Sequence, residues 1–393
     1  MSHPEVLRVL LVLGTRPEAV KLAPVARALT ERGMDARILL TGQHRHLVRP
    51  VLDEFALTPW RDLDVMLEGQ SPGEVGAACL TLLPAVLEEW PPQLLLVQGD
   101  TASVFFGAMA AFLARIPVGH VEAGLRSGRK DAPFPEEIFR RLVSPVADLH
   151  FPPTPRARDA LLKEGIPQSQ VYLTGNPVVD AVRFMVAREP SGEPGPEVKR
   201  YLEWDGQRLL LTLHRRESFG APIREVLETV RALVREDPAR MVLYPVHPNP
   251  QVREPAYEIL GDESRVLLTE PLPYGILLRA LGASHLALTD SGGIQEEAPA
   301  LGVPVLVLRE VTERPEGVEA GVARLVGTDA TRIRRGVEAM GRVASRVGSR
   351  GVGTPPPALS TPYGDGSAAD RIADVVAHWI RGDSRTTVDW SGA

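Results

Sequence analysis

The chain of 393 residues contains a single cysteine, Cys79, and no long hydrophobic run. One cysteine excludes an intrachain disulfide and any cluster of thiolate metal ligands, which is consistent with a reducing cytoplasm. The apolar run near the N-terminus is short and is interrupted by Arg8, so it predicts a buried first strand and not a signal peptide. Because a membrane span needs about 18 apolar residues, the sequence predicts a cytoplasmic protein that does not enter a membrane.

Positive charge is not in excess either. The chain has 44 Lys and Arg against 50 Asp and Glu, which gives a formal net charge of −6. This balance does not indicate a nucleic-acid partner, because such partners select strongly basic surfaces. An anionic ligand would therefore have to be bound by local groups of basic residues.

Common motifs of cofactor and metal binding are also missing. The chain lacks the G-x-x-x-x-G-K-[ST] spacing of a P-loop, and no G-x-G-x-x-G follows a predicted strand. The histidines show no H-x-x-x-H spacing and no carboxylate placed to complete a metal site. We therefore expect no metal and no nicotinamide cofactor.

Short apolar runs alternate with helical patterns along most of the chain. The first run, VLRVLLVLG, precedes a segment in which apolar residues recur with helical spacing from Leu22 to Leu29, and Gly33 is placed to end that helix. Apolar strands separated by helices are typical of parallel sheets covered on both faces. The pattern restarts after a break near residues 175–177, which predicts an α/β protein with two doubly wound domains. The predicted segments are 1–175, 176–362, and a final helix with a loose tail over 363–393.

Acidic residues stand where several predicted strands end, the edge at which open α/β sheets bind ligands. Asp100 in VQGDT and Glu122 in GHVEAG follow apolar strands, while Glu136 opens a helix in PFPEE. Helix capping would explain Asp100, and a helix start with a salt bridge to Arg140 would explain Glu136 and Glu137. An acid without a partner at the position of Glu122 is costly. Together, three carboxylates in neighbouring loops are a suitable set for proton transfer at carbon.

Basic residues follow the first strand of each half. Arg16 and Lys21 in GTRPEAVK lie near a helix start, where cations oppose the helix dipole but suit a phosphate ligand. His214 and the two arginines after it end a buried strand in LTLHRRES, where they could neutralise a leaving diphosphate. Solvated surface charges are the simpler alternative in both places.

The segment LTDSGGIQEEAPALG, residues 288–302, combines a strand end, a glycine turn and a helix start. Its glycines would let the backbone approach an anion at the helix N-terminus. Alternatively, the two glutamates only complement the helix dipole. The residues of this segment alone leave both interpretations open.

These motifs, in this order, resemble the non-hydrolysing UDP-N-acetylglucosamine 2-epimerases. The resemblance covers residues 8–366 and includes GTRPEAVKLAPV, TGQHR, QGDT, IPVGHVEAGLRSG, PFPEE, GNPVVDA, HRRESFG, PVHPNP, TDSGGIQEEAPALGVPVLVLR and TERPEGVEAG. It implies two Rossmann-like domains that face each other across a cleft, the B-type glycosyltransferase architecture. It also implies a homodimer and a last helix that returns to the N-terminal domain.

The activity implied by this resemblance is the reversible conversion of UDP-GlcNAc into UDP-ManNAc without metal or nicotinamide. UDP leaves by anti elimination to give 2-acetamidoglucal and then adds again, with the C2 proton delivered to the other face. The product would supply a surface polysaccharide or linkage unit.

The resemblance also implies roles for individual residues. The acid–base carboxylates would be Asp100, Glu122 and Glu136, with His214 assisting the departing UDP. Basic substrate contacts would come from Arg16, Lys21, Arg140 and Arg314. The diphosphate turn would be Ser291, Gly292 and Gly293, with Glu297 binding the ribose and Leu277 lying near the uracil. A second, activating UDP-GlcNAc would contact the loop that contains Gln43, His44 and His46.

Three positions depart from the family pattern. Leu277 stands where an aromatic residue is common, Phe139 replaces an asparagine beside Arg140, and His46 replaces glutamine or glutamate. Alternative functions are epimerisation of a UDP-2,3-diacetamido-glucuronate, glycosyl transfer by a B-type enzyme, and nucleotide-sugar binding without turnover. Against transfer, the E-x7-E pattern is absent here, because Pro304 and Val305 occupy the positions eight residues after the two glutamates.

Overall fold

Two parallel β-sheets of six strands each organise the residues described by a computed structural model, 6–43, 45–65, 70–189, 192–347 and 361–392. Each sheet belongs to its own α/β unit. Unit 1 comprises Met1–Phe184 and Tyr363–Ala393, and unit 2 comprises Met185–Pro362. The division falls nine residues after the predicted boundary at residue 175, because the helix that follows this boundary packs on unit 1 through Phe184, whose ring stacks on Phe55.

The sheet of unit 1 has the strand order β3-β2-β1-β4-β5-β6. Its strands are β1 (Arg8–Leu13), β2 (Asp35–Leu40), β3 (Arg61–Asp62), β4 (Leu94–Gln98), β5 (Val118–Val121) and β6 (Leu149–Phe151). The helices among and after them are α1 (Arg16–Glu31), α2 (Arg45–Glu54), α3 (Pro72–Glu89), α4 (Ala102–Leu113), α5 (Glu136–Val143), α6 (Pro155–Lys163) and α7 (Pro177–Val186). Gly33 adopts a φ of 75° just after α1, which confirms it as the predicted helix stop.

Unit 2 repeats this order, with β12-β11-β10-β7-β8-β9. Its strands are β7 (Gln207–Thr212), β8 (Arg240–Pro245), β9 (Val266–Thr269), β10 (Leu286–Thr289), β11 (Val305–Val307) and β12 (Ala323–Leu325). Its helices are α8 (Pro196–Leu202), α9 (Ala221–Glu236), α10 (Pro250–Leu260), α11 (Tyr274–Gly282), α12 (Gly292–Ala300), α13 (Pro315–Glu319) and α14 (Ala330–Val347).

The central strands of both sheets are almost wholly buried, which accounts for their continuous apolar sequences. In each unit the strand order reverses at the centre, between β1 and β4 and between β7 and β10. Ligands of doubly wound sheets bind outside the carboxyl ends of the strands at this reversal. The two doubly wound α/β domains predicted from the sequence are thus confirmed.

The last helix, α15 (Ala368–Arg381), packs against α1 in unit 1. Its first turn is capped by Asp180, which accepts hydrogen bonds from the N–H groups of Ala368 and Ala369. The residues after it, predicted to be loose, are instead bound to unit 1. Thr386 and Thr387 donate hydrogen bonds to Asp374. No helix in the described part of the chain is long and apolar enough to cross a membrane.

Candidate functional site

Two of the predicted carboxylates follow adjacent strands of unit 1. Gln98 of β4 pairs with Val121 of β5, so Asp100 and Glu122 both lie just past the carboxyl ends of these strands. Glu122 is 5% exposed and adopts a φ of 62°, a conformation that few non-glycine residues take. The turn that presents this carboxylate is therefore sterically specific.

Glu122 is a buried carboxylate that accepts hydrogen bonds from Lys21 and Gln98. Nζ of Lys21 lies 2.5 Å from its Oε2, and the Gln98 side-chain amide donates to the same oxygen. Each group of such a pair offsets part of the cost of removing the other from water, so the loss of either partner is costly. The structure thus brings together Glu122 and Lys21, which were predicted separately as an acid–base group and a substrate contact.

Asp100 is paired with Arg140 of α5. The buried guanidinium donates to Oδ2 of Asp100 and, through Nη1, to Glu137 Oε2 at 3.4 Å. Glu137 also accepts from the backbone N–H groups of Ser127 and Gly128, so it anchors the loop before the helix. Glu136, the predicted third carboxylate, is the half-buried first residue of α5.

Glu18 links the loops after β1 and β4. Its Oε1 accepts from the hydroxyls of Thr15 and Thr101, each at 2.8 Å, and its Oε2 accepts from the backbone N–H groups of Gly14 and Thr15. Burial raises the pKa of this carboxyl to about 7, although the four hydrogen bonds oppose the rise. Thr101 is the neighbour of Asp100, so Glu18 holds the chain at the predicted site. Arg16 is the half-buried first residue of α1, in the same turn.

Of the three residues predicted to bind an activating nucleotide, only Gln43 can be described fully. Its Oε1 accepts a hydrogen bond of 2.9 Å from Ser103, whose hydroxyl also lies 2.8 Å from Thr41 Oγ1. His44 lies outside the described residues, as does the side chain of His46, although the backbone of His46 belongs to α2.

His214 of unit 2 contacts a buried aspartate at the end of β10. Nδ1 of His214 lies 3.0 Å from Oδ1 of Asp290. The backbone N–H groups of His214 and Arg215 also donate to the same carboxylate. The ring of His247 stacks beside His214, with 6.0 Å between the ring centroids.

Arg314 directly precedes α13, and its guanidinium lies against Gly292 at the start of α12. It donates from Nε to Glu296 at 2.6 Å and from Nη1 to Glu313 at 2.5 Å. A Cβ atom at Gly292 would be 2.6 Å from its Nη1, so only glycine leaves room for the guanidinium. Glu296, one of the two glutamates that would complement the helix dipole, is buried and pairs with Arg314.

Glu297 occupies the next position of α12. Its Oε1 accepts a hydrogen bond of 3.3 Å from the hydroxyl of Tyr274, the first residue of α11. Leu277, one turn later in α11, is half-buried. Ser291 precedes α12 and donates its backbone N–H to Thr289.

Sequence reasoning missed several residues that hold these groups in place. They are Glu18, Gln98, Tyr274, Asp290 and Glu313. Signals existed for Glu18, which forms a T-x-x-E capping box with Thr15, and for Asp290, which ends an apolar strand in HLALTDSGG. In the described part of the chain, no group of three His, Cys, Asp or Glu side chains is arranged to hold a metal ion.

Comparison with known proteins places these residues in a family. A family model described as UDP-N-acetylglucosamine 2-epimerase matches residues 27–377. The UDP-N-acetylglucosamine 2-epimerase of Bacillus subtilis is 43% identical over 369 residues, which cover 94% of this chain and 94% of that protein. This chain belongs to the UDP-N-acetylglucosamine 2-epimerase family. Like the other members of this family, it is an epimerase, as the sequence predicted.

Solved structures share the fold of this epimerase. The S. aureus MnaA co-structure with UDP has a TM-score of 0.88 at 38% identity, and the match covers 98% of this chain and 100% of that chain. UDP-GlcNAc 2-epimerase from Neisseria meningitidis, bound to UDP-GlcNAc, has a TM-score of 0.84 at 36% identity over 96% of this chain and 100% of that chain. A glycotransferase of kitacinnamycin, 16% identical with a TM-score of 0.63, shares the fold alone. These matches confirm the predicted glycosyltransferase-like fold class of two Rossmann-like domains.

Proposed function

We propose that this epimerase interconverts UDP-GlcNAc and UDP-ManNAc by anti elimination of UDP through 2-acetamidoglucal, followed by re-addition. The observation that carries the proposal is the pair of carboxylates, Asp100 and Glu122, at the ends of adjacent strands and each beside a buried cation. The N. meningitidis relative, whose structure contains UDP-GlcNAc, supports the choice of substrate. The proposed reaction takes place in the cytoplasm, and its product supplies the synthesis of a surface polysaccharide or linkage unit.

Inversion at C2 requires proton exchange on both faces of the sugar, because the hydrogen removed must return from the opposite side. One carboxylate takes the C2 proton, the bonding electrons form the C1–C2 double bond, and the C1–O pair leaves with UDP. In the return step a second acid protonates C2 from the other face and the phosphate oxygen bonds to C1. Asp100, Glu122 and Glu136 are the proposed acid–base groups.

Recognition of the nucleotide is assigned to residues of unit 2. Arg314 and the turn from Ser291 to Gly293 would bind the diphosphate, since the start of α12 offers backbone N–H groups and the arginine adds a cation. Glu297 would accept from the ribose hydroxyls, and Leu277 would contact the uracil. Arg16 and Lys21 of unit 1 complete the proposed basic contacts.

Proton NMR of UDP-GlcNAc incubated with the purified protein in deuterated water, without metal or nicotinamide, tests this function. UDP-ManNAc carrying deuterium at C2 is the expected product. Asp100→Asn, Glu122→Gln and His214→Ala should each lower turnover by about a hundredfold or more. An unchanged spectrum with UDP-GlcNAc bound would contradict the proposal, and a UDP-2,3-diacetamido-glucuronate would then be tested.

Two further properties are proposed from the family resemblance. A homodimer is expected, and sedimentation velocity of the full chain would detect it. Activation by a second UDP-GlcNAc is also expected, with Gln43 among its contacts. Purely hyperbolic rates against UDP-GlcNAc, together with rapid conversion of UDP-ManNAc alone, would contradict such activation.

A further inference from the structure

The carboxylate of Asp290 joins the ends of two neighbouring strands. β7 pairs with β10 through Thr212 and Thr289, and the chain after each strand continues to His214 and Asp290. The backbone N–H of His214 donates to both oxygens of Asp290, at 3.1 and 2.9 Å, and the N–H of Arg215 donates to Oδ2 at 2.9 Å. These bonds fix the turn after β7 at the point where the strand order of the sheet reverses.

Asp290 also contacts the imidazole of His214, and this contact determines which ring nitrogen carries a proton. Nδ1 of His214 lies 3.0 Å from Oδ1 of Asp290. Burial pushes the pKa of Asp290 upward, but the His214 side chain and the backbone N–H groups of His214 and Arg215 outweigh burial and leave this pKa below its usual value. An ionised carboxylate only accepts hydrogen bonds, so Nδ1 must carry a proton. Nε2 is then the ring nitrogen that can contact a ligand, because Nδ1 is bound to Asp290.

The two side chains differ in their exposure to solvent, as expected if Asp290 holds the ring and His214 meets the ligand. The carboxylate of Asp290 is 0% exposed, whereas the imidazole of His214 is 36% exposed. A ligand can therefore reach the imidazole while the aspartate stays behind it. Two other titratable side chains lie near the pair. They are His247, stacked on His214, and Tyr244, whose pKa is raised by burial and by the charge of Asp290.

We infer that Asp290 is a positioning residue for the epimerisation, which holds His214 with Nδ1–H toward itself and Nε2 toward the departing UDP. The inference rests on the proposed function of His214. As the C1–O bond breaks, its electron pair goes to the β-phosphate oxygen, to which a protonated Nε2 donates its hydrogen. On re-addition the oxygen bonds to C1 and the proton remains on Nε2.

The alternative role for Asp290 is purely structural, since its bonds to two backbone N–H groups already tie the turn together. The two roles differ in the tautomer of neutral His214. Two-bond proton–nitrogen correlation spectra of the ¹⁵N-labelled full chain report which ring nitrogen keeps its proton as pH rises. The His214 signals are assigned by their loss in His214→Gln. Retention of the proton on Nδ1 is expected, and a wild-type ring protonated on Nε2 would overturn the inference.

Kinetics of Asp290→Asn supply the second test. The asparagine keeps the shape of the side chain and can still accept backbone hydrogen bonds, but its amide no longer fixes the tautomer. We expect kcat to fall by about a hundredfold or more with little change in KM. Adding Asp290→Asn to His214→Ala should cost less than about threefold further, because residues acting as one unit are not additive. Independent losses that multiply would identify a structural role and overturn the inference.

Asp374→Asn is the matched control, because Asp374 also accepts backbone N–H bonds, and none of its contacts within the described residues is with a histidine. It should leave both kcat and the His214 spectrum unchanged. If wild-type protein does not convert UDP-GlcNAc, the proposed function fails. The NMR measurement still decides, independently of activity, whether Nδ1 of His214 carries the proton. If Asp290→Asn does not fold, the wild-type spectrum alone decides the inference.

Discussion

Nη1 of Arg314 lies 2.6 Å from the position that a Cβ atom would take at Gly292. The guanidinium cannot easily move away, because Glu296 and Glu313 bind it from two sides in a buried setting. The sequence interpretation assigned this glycine to close approach of a diphosphate. In the structure the arginine fills the space beside the glycine, so the turn and the cation form one unit.

Gly292→Ala is therefore expected to displace Arg314 and to weaken UDP binding by about tenfold or more, since overpacking a fitted site costs about 1–3 kcal/mol. Isothermal titration with UDP measures the change. Gly282→Ala is the matched control, because the nearest atoms to its added Cβ would be 3.9 Å away in Leu301. Wild-type affinity in Gly292→Ala would show that Arg314 does not contribute to UDP binding.

Lys21→Met should destabilise the protein strongly. The substitution removes the buried ammonium group that lies 2.5 Å from Glu122 Oε2, and breaking a buried pair costs about 3 kcal/mol or more. Urea unfolding followed by circular dichroism measures the loss. Adding Glu122→Gln to Lys21→Met removes the buried carboxylate charge as well, so the double variant should regain much of the stability.

Lys199→Met is the control for this experiment. Its partner Glu193 is exposed and their 2.8 Å contact is screened by water, so the unfolding midpoint should hardly change. Equal effects of the two lysine substitutions would show that the burial of the Lys21–Glu122 pair has no energetic consequence.

Glu18 gives the protein a specific pH dependence. Its pKa is raised from 4.5 to about 7 in the folded state. The folded protein therefore holds this proton more tightly than the unfolded chain, and the stabilisation is present below the unfolded pKa of 4.5 and lost as pH rises through about 7. Relative to Glu18→Gln, wild-type protein should lose unfolding free energy across this window. Parallel pH profiles of the two proteins, measured by urea unfolding, would contradict the assignment.

Much of the architecture could be predicted because it depends on local pattern. β1 and α1 follow from an apolar run, helical spacing and Gly33, and the same alternation continues through both units. The strand ends also made Asp100, Glu122 and His214 candidate site residues, since ligands of a doubly wound sheet bind at that edge. The epimerase family was predicted because the order of many such motifs is specific.

The partners of these residues could not be predicted, because they depend on which strands become neighbours. His214 and Asp290 are 76 residues apart in the chain and meet only because β7 pairs with β10. Lys21 and Glu122, separated by 101 residues, also meet only after folding. The order of the C-terminal tail was missed for a similar reason, since its polar sequence shows no periodicity and its anchors lie in other elements.

The C-terminal tail should be released by Asp374→Ala. Thr386 and Thr387 donate five hydrogen bonds of 2.6–3.1 Å to this carboxylate. Burial alone would raise the pKa of Asp374, but these bonds lower it from 3.8 to about 2, so their stabilisation is present above pH 3.8 and lost as pH falls through about 2. Carboxypeptidase trimming followed by mass spectrometry should show faster loss of the tail in Asp374→Ala at neutral pH. The exposed Asp383→Asn should be trimmed like wild type. Equal trimming of all three proteins would mean that Asp374 does not anchor the tail.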